Sequence, residues 1–133
     1  MPAILVDSNV FLDVLTTDPV WFAWSARQLA QFGGSGTLVI NPIIYAELSA
    51  GFDRIEDLDS ALGSVRRDPL PWPAAFLAGQ CYVAYRRRGG EKRSPLPDFY
   101  IGAHAAVAGL PLLTRDSARY RTYFPKLEII APK

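Results

Sequence analysis

Four carboxylates set among apolar neighbours are the residues of this chain best equipped for chemistry: Asp7, Glu47, Asp98 and Asp116. Asp7 follows Ile4-Leu5-Val6, and Glu47 lies inside Ile43-Ile44-Tyr45-Ala46-Glu47-Leu48. Asp98 precedes Phe99-Tyr100-Ile101, and Asp116 comes just after Leu112-Leu113-Thr114-Arg115. An ionised carboxyl group rarely enters such surroundings unpaired, because removing its charge from water is costly. Basic residues are scarce beside Asp7 and Glu47, so a bound cation is the simplest neutraliser. The chain has one histidine and one cysteine, which leaves oxygen ligands and favours a hard ion, Mg²⁺ or Mn²⁺, over zinc. Carboxylates holding such an ion form an apparatus for phosphodiester hydrolysis: the ion acidifies and orients a water and neutralises charge on the phosphate. Ser8 and Thr114 stand beside the acids and can hydrogen-bond a ligand carboxylate.

Each acid taken alone has a simpler reading. Asp7 and Asp98 can cap helices, and Asp116 can pair with Arg115 or Arg119. Glu47 is harder to dismiss, since it sits mid-helix on a face expected to point inward. Their joint placement is what argues for a site.

The elements that must position these acids are legible in outline. Residues 3–6 are continuously apolar, as in a strand buried on both faces. Asp7-Ser8-Asn9 then offers caps for a helix that begins with Val10-Phe11-Leu12. A second helix is expected after Asp18-Pro19, ending at Gly33-Gly34. A short strand, Leu38-Val39-Ile40, leads through Asn41-Pro42 into a helix carrying Glu47 and closing at Gly51. Residues 54–65 read as an amphipathic helix, and Leu70-Pro71-Trp72-Pro73 as a rigid connection. A long helix is expected from Ala74 to about Arg88, stopped by Gly89-Gly90. Asp98 opens an alanine-rich helix closed by Gly109, after which the Leu112-Leu113 strand leads to Thr114-Arg115-Asp116. Glu128-Ile129-Ile130 is a candidate edge strand. Short strands alternating with helices give an α/β domain with a mostly parallel sheet. In such sheets ligands bind beyond the carboxyl ends of the strands, the rim where all four acids can converge.

Composition narrows the classes. The 133 residues suffice for one domain over residues 1–133 with a sizeable core. A single cysteine, Cys81, excludes an internal disulfide or a cysteine zinc cluster, and its apolar context reads as burial. No stretch reaches the roughly 18 apolar residues of a membrane helix, and the expected location is the cytoplasm, with no membrane partner. The net charge of +1 is too small to argue for nucleic acid. The cations nevertheless bunch, at Arg86-Arg87-Arg88, Lys92-Arg93, and Arg115, Arg119 and Arg121.

At this point the chain resembles a known family. Leu5-Val6-Asp7-Ser8-Asn9-Val10, Asn41-Pro42-Ile43-Ile44-Tyr45-Ala46-Glu47-Leu48, Pro97-Asp98-Phe99-Tyr100-Ile101-Gly102-Ala103-His104-Ala105 and Leu113-Thr114-Arg115-Asp116, trailed by Arg119-Tyr120 and Tyr123-Phe124-Pro125, are similar in order and spacing to PIN-domain proteins, and within them to VapC-type toxins of bacterial toxin–antitoxin pairs. The resemblance spans nearly the whole chain. It implies a three-layer α/β/α sandwich around a mostly parallel sheet of four or five strands. It also implies a Mg²⁺- or Mn²⁺-dependent endoribonuclease, usually a homodimer, neutralised by a cognate antitoxin and acting on structured RNA such as tRNA or ribosomal RNA. The family's acids fall on Asp7, Glu47, Asp98 and Asp116, and its hydroxyl position on Thr114.

The basic residues Arg86, Arg87, Arg88 and Arg93, with Lys92 and Arg115, are candidates for holding RNA phosphates, although cations at the end of a helix also suit its dipole. His104, at helical spacing from Asp98, points away from that acid's face and is expected to pack rather than catalyse. Adjacent Trp21 and Phe22, with Trp24 nearby, cannot all share one face, which leaves one for an antitoxin or dimer interface. Phosphoryl transfer through an aspartyl phosphate is disfavoured because no lysine ends an apolar strand. The remaining alternative is a catalytically silent PIN-fold module that binds RNA or protein.

Overall fold

The computed structural model describes residues 3–34 and 37–133. These form β1 (Ile4–Val6), α1 (Ser8–Leu15), α2 (Phe22–Phe32), β2 (Leu38–Ile40), α3 (Pro42–Ser49) and α4 (Ile55–Leu62), followed by β3 (Arg66–Arg67), α5 (Trp72–Arg87), α6 (Pro97–Ala108), β4 (Leu112–Leu113), α7 (Ala118–Tyr123) and β5 (Ile129–Ile130). The strands make one sheet in the order β3-β2-β1-β4-β5, and every pairing is parallel. This is the three-layer α/β/α arrangement, with the sheet fully rather than mostly parallel. β1, β2 and β4 are buried along their whole length, which is why they read as unbroken apolar runs.

The strand order reverses at β1. Its own crossover leads outward to β2, whereas β4, on its other side, leads outward to β5. Right-handed crossovers then put helices on both faces and open a crevice at the carboxyl ends of β1 and β4. The register sets what faces that crevice. Val6 pairs with Leu113, and the Asp7 N–H donates to the Leu113 carbonyl at 2.9 Å. The side chains of Asp7 and Thr114 therefore emerge side by side.

Local chemistry sets most element boundaries. Asp7 is the N-cap of α1, Asn41 Oδ1 caps α3 by accepting from the Ile44 N–H, and Asp18 Oδ1 accepts the Val20 and Trp21 N–H groups ahead of α2. Gly109 closes α6 at φ 68°, a left-handed conformation that an L side chain resists. Three boundaries depart from expectation. α4 stops at Leu62, before Gly63 at φ 57°, and the residues beyond it enter β3. That strand is two exposed arginines with no apolar pattern to betray it, and it exists only because the β2 edge offers unpaired backbone groups. α5 begins at Trp72 rather than Ala74, because Pro73 lies in the first turn, where no intrahelical N–H is needed. The six-residue α7 was not expected at all.

Candidate active site

Asp7 is the centre of the crevice. Only 4% of it is exposed, and its carboxylate accepts from four neutral donors. Oδ1 takes the Ser8 N–H at 2.8 Å. Oδ2 takes the Thr114 hydroxyl at 2.9 Å, the Tyr120 hydroxyl at 2.9 Å and Asn9 Nδ2 at 3.4 Å. Burial pushes the Asp7 carboxyl above its usual range, the Asp98 charge pushes the same way, and the hydrogen bonds oppose both.

Ser8 and Tyr120 link this acid to two others. The Ser8 hydroxyl donates to Glu47 Oε1 at 3.0 Å. Burial also raises Glu47, and the charges of Asp7 and Asp98 add to the rise. Tyr120 lies 3.3 Å from Asp98 Oδ1 as well as 2.9 Å from Asp7. A phenol has one proton, and the shorter distance assigns it to Asp7. Burial first, then the charges of Asp7 and Asp98, keep this hydroxyl protonated far above its ordinary range. Asp98 Oδ2 has one cationic neighbour, Arg119 Nη1 at 3.4 Å, in a solvent-exposed pair.

Asp116 meets this group through its backbone. Its N–H donates to Thr114 Oγ1 at 3.1 Å, which connects it to Asp7 through the backbone, while the residue itself is exposed. Among the described residues no group of three or more His, Cys, Asp or Glu side chains is already gathered in a metal-holding arrangement. The Tyr120 hydroxyl lies between Asp7 and Asp98, Ser8 reaches Asp7 through its N–H and Glu47 through its hydroxyl, and Asp116 is exposed. The donor set of these acids still fits a hard dication. It is all oxygen, and among the described residues its most buried member meets no cation and Asp7 Oδ1 accepts a single hydrogen bond, which leaves a lone pair open.

The structure also sorts the basic candidates. Arg86 Nη1 donates to the carbonyls of Gly90, Glu91 and Lys92, each at 3.2 Å, and so braces the loop after α5. The Arg88 guanidinium lies over the Tyr123 ring at 5.2 Å. Arg87 and Arg93 are exposed and have no recorded side-chain partner among the described residues. Arg115 turns inward to Asp13, its Nε at 2.8 Å from Oδ2. This network escaped sequence reading, as did Tyr120. The available signal was a second acid, Asp13, in the same apolar stretch as Asp7 and six residues further on.

His104 is buried, with Nδ1 3.0 Å from Asn41 Nδ2. It thereby joins the helix of Asp98 to the cap of the helix of Glu47. Cys81 is buried. Trp21 packs edge-on against Trp24 at 6.4 Å, while Phe22 is 38% exposed.

Residues 4–125 match the PIN domain, and the chain belongs to that family. No curated protein sequence matches it. Solved structures share its fold at low identity. A chain of the VapBC2 complex from Rickettsia felis, bound to a DNA fragment from their promoter, superposes with TM-score 0.70 at 18% identity, covering 98% of this chain and 99% of that one. VapBC-1 from nontypeable Haemophilus influenzae gives 0.72 at 18% identity, with 97% of each chain covered. VapC20 from Mycobacterium tuberculosis, a sarcin–ricin loop cleaving toxin, gives 0.62 at 14% identity, covering 90% of this chain and 95% of that one.

Proposed function

We propose that the chain, as one domain over residues 1–133, is a VapC-type toxin: a Mg²⁺- or Mn²⁺-dependent endoribonuclease that cuts structured RNA. In this reading it works as a cytoplasmic homodimer and is restrained by a cognate antitoxin. The observation that carries the reading is Asp7, a buried carboxylate at the topological switch point with two further acids beside it and no cationic partner of its own. The fold likeness to toxin–antitoxin complexes and to a toxin that cleaves the sarcin–ricin loop supports the biological role and a ribosomal or transfer RNA target.

Asp7, Glu47, Asp98 and Asp116 would hold the ion. When bound, it would supply an acidified, oriented water and neutralise charge on the phosphate. The chain's own contribution is orientation. The Ser8 N–H and the Thr114 and Tyr120 hydroxyls hold Asp7 in one position, so its free lone pair is directed before any ligand arrives. Asn9 Nδ2 donates to Thr114 Oγ1 at 3.2 Å, which leaves the Thr114 proton for Asp7. Arg87 and Arg93, at the end of α5 and in the loop before Asp98, are the cations of the basic segment best placed to take RNA phosphates.

Incubation of purified protein with labelled RNA, DNA and a phosphomonoester tests the reading. Cleavage of RNA alone, dependent on Mg²⁺ or Mn²⁺ and abolished by EDTA, is the expected result. A second reading has one observation in its favour, the exposed position of Asp116. It is a catalytically silent PIN-fold module that binds RNA or protein, and metal-independent RNA binding without cleavage would establish it.

A further inference from the structure

Two residues of α1, one helical turn apart, grip the same residue of the loop after β4. Asn9 Oδ1 accepts the Arg115 backbone N–H at 3.3 Å. Asp13 accepts the Arg115 side chain, with Nε 3.0 Å from Oδ1 and 2.8 Å from Oδ2. Asp13 is only 2% exposed, and its orientation is set independently of Arg115 by the Ser25 hydroxyl at 2.7 Å. The Trp21 ring lies 5.8 Å from the guanidinium carbon. Arg115 sits between Thr114, which donates to Asp7, and Asp116. The grip therefore fixes backbone on both sides of a residue that the active site leaves unused.

A buried ion pair adds little stability over apolar packing of the same volume, but it does impose a direction. The planar guanidinium has few ways to meet a carboxylate held from behind. We propose that Asp13 is a positioning residue of the metal site: through Arg115 it holds the 114–116 loop, keeping the Thr114 hydroxyl on Asp7 and Asp116 at the rim. This rests on the metal-site reading above, and it assigns Arg115 to the loop rather than to RNA.

The test compares wild type with Asp13→Asn, which keeps the shape and the Ser25 partner but removes the charge. Three quantities are measured: Mn²⁺ affinity by calorimetry without RNA, amide exchange of Arg115 and Asp116 in metal-free protein, and kcat and KM on RNA. Mn²⁺ affinity is expected to fall about tenfold, the effect typical of groups that orient metal ligands. Exchange at the two amides should quicken, and kcat should drop with KM unchanged. The double variant Asp13→Asn/Arg115→Gln rebuilds a neutral amide–amide contact and should restore affinity to within about threefold of wild type, a coupling that independent sites do not show. If Asp13→Asn does not fold, Arg115→Lys serves with the same readouts, since its amine keeps the charge and loses the planar Nε–H donor that meets both Asp13 oxygens.

Wild-type Mn²⁺ affinity and unchanged local exchange in these variants, whatever their melting temperature, would overturn the proposal. A raised KM alone would also overturn it, by making Arg115 an RNA contact. Wild-type protein that takes up Mn²⁺ yet cuts no RNA would refute the nuclease reading instead, and the affinity and exchange measurements would still decide Asp13.

Discussion

α1 carries two buried aspartates whose surroundings are opposite. Asp13 is met by a guanidinium and a hydroxyl, so its charge is balanced within the protein. Asp7 is met by two hydroxyls, an amide side chain and a backbone N–H, all neutral, with Asp98 close enough to oppose its ionisation. Donors of this kind orient a carboxylate without cancelling its charge. One aspartate is finished as a structural joint. The other meets no compensating cation among the described residues, and the proposed metal site rests on that imbalance rather than on burial.

Breaking each aspartate's environment in turn should give effects of different kind and size. Asp7→Asn should abolish RNA cleavage by about a thousandfold or more, roughly 4 kcal/mol in barrier, and abolish the rise in melting temperature that Mn²⁺ produces by mass action. Without metal, its melting temperature at neutral pH should equal or exceed that of wild type. A marked loss of folded protein would make Asp7 a structural residue like Asp13. Arg115→Met leaves Asp13 buried with the Ser25 hydroxyl but no cation and should cost about 3 kcal/mol in denaturant unfolding, whereas Glu47→Gln should cost little and chiefly weaken the Mn²⁺ response. Equal losses for the two would erase the contrast.

A third perturbation acts on the frame between Asp98 and Tyr120. A Cβ at Gly102 of α6 would lie 2.3 Å from the Phe124 ring, just beyond α7, so Gly102→Ala should destabilise by about 2 kcal/mol through overpacking. Calorimetric melting that is unchanged by this substitution would show that α7 shifts freely.

The pH dependence sharpens the comparison further. Asp7 and Glu47 have folded-state pKa values raised by burial, so in that window the folded chain binds more protons than the unfolded chain. Their contribution to stability is complete below the ordinary carboxylate range and is lost as pH climbs through the raised values. In EDTA, the melting temperature of Asp7→Asn should therefore gain on that of metal-free wild type as pH rises from about 4 towards neutrality. The smallest effect belongs to the surface. Arg87→Gln with Arg93→Gln should reduce the slope of log affinity for RNA against log salt by about 0.7 for each phosphate contact removed, measured by titration at several salt concentrations.

Much of this molecule was readable from the sequence because local chemistry decided it. The apolar runs of β1, β2 and β4, the caps Asp7 and Asn41 and the stop at Gly109 each follow from properties of a few adjacent residues, and so does the placing of Asp7 at a strand end and Asp98 in the first turn of a helix. Other features had no local signal. β3 is a pair of exposed arginines recruited by a free sheet edge, and α7 is too short to carry a periodic pattern. Tyr120, Asn9 and Asp13 acquire their roles only where parallel pairing of β1 with β4 brings residues 7–13 against residues 114–120. Composition and spacing declare which side chains carry charge. Whether a charge meets a guanidinium or only neutral hydroxyls depends on contacts some hundred residues apart in the chain, and the sheet's register alone creates them.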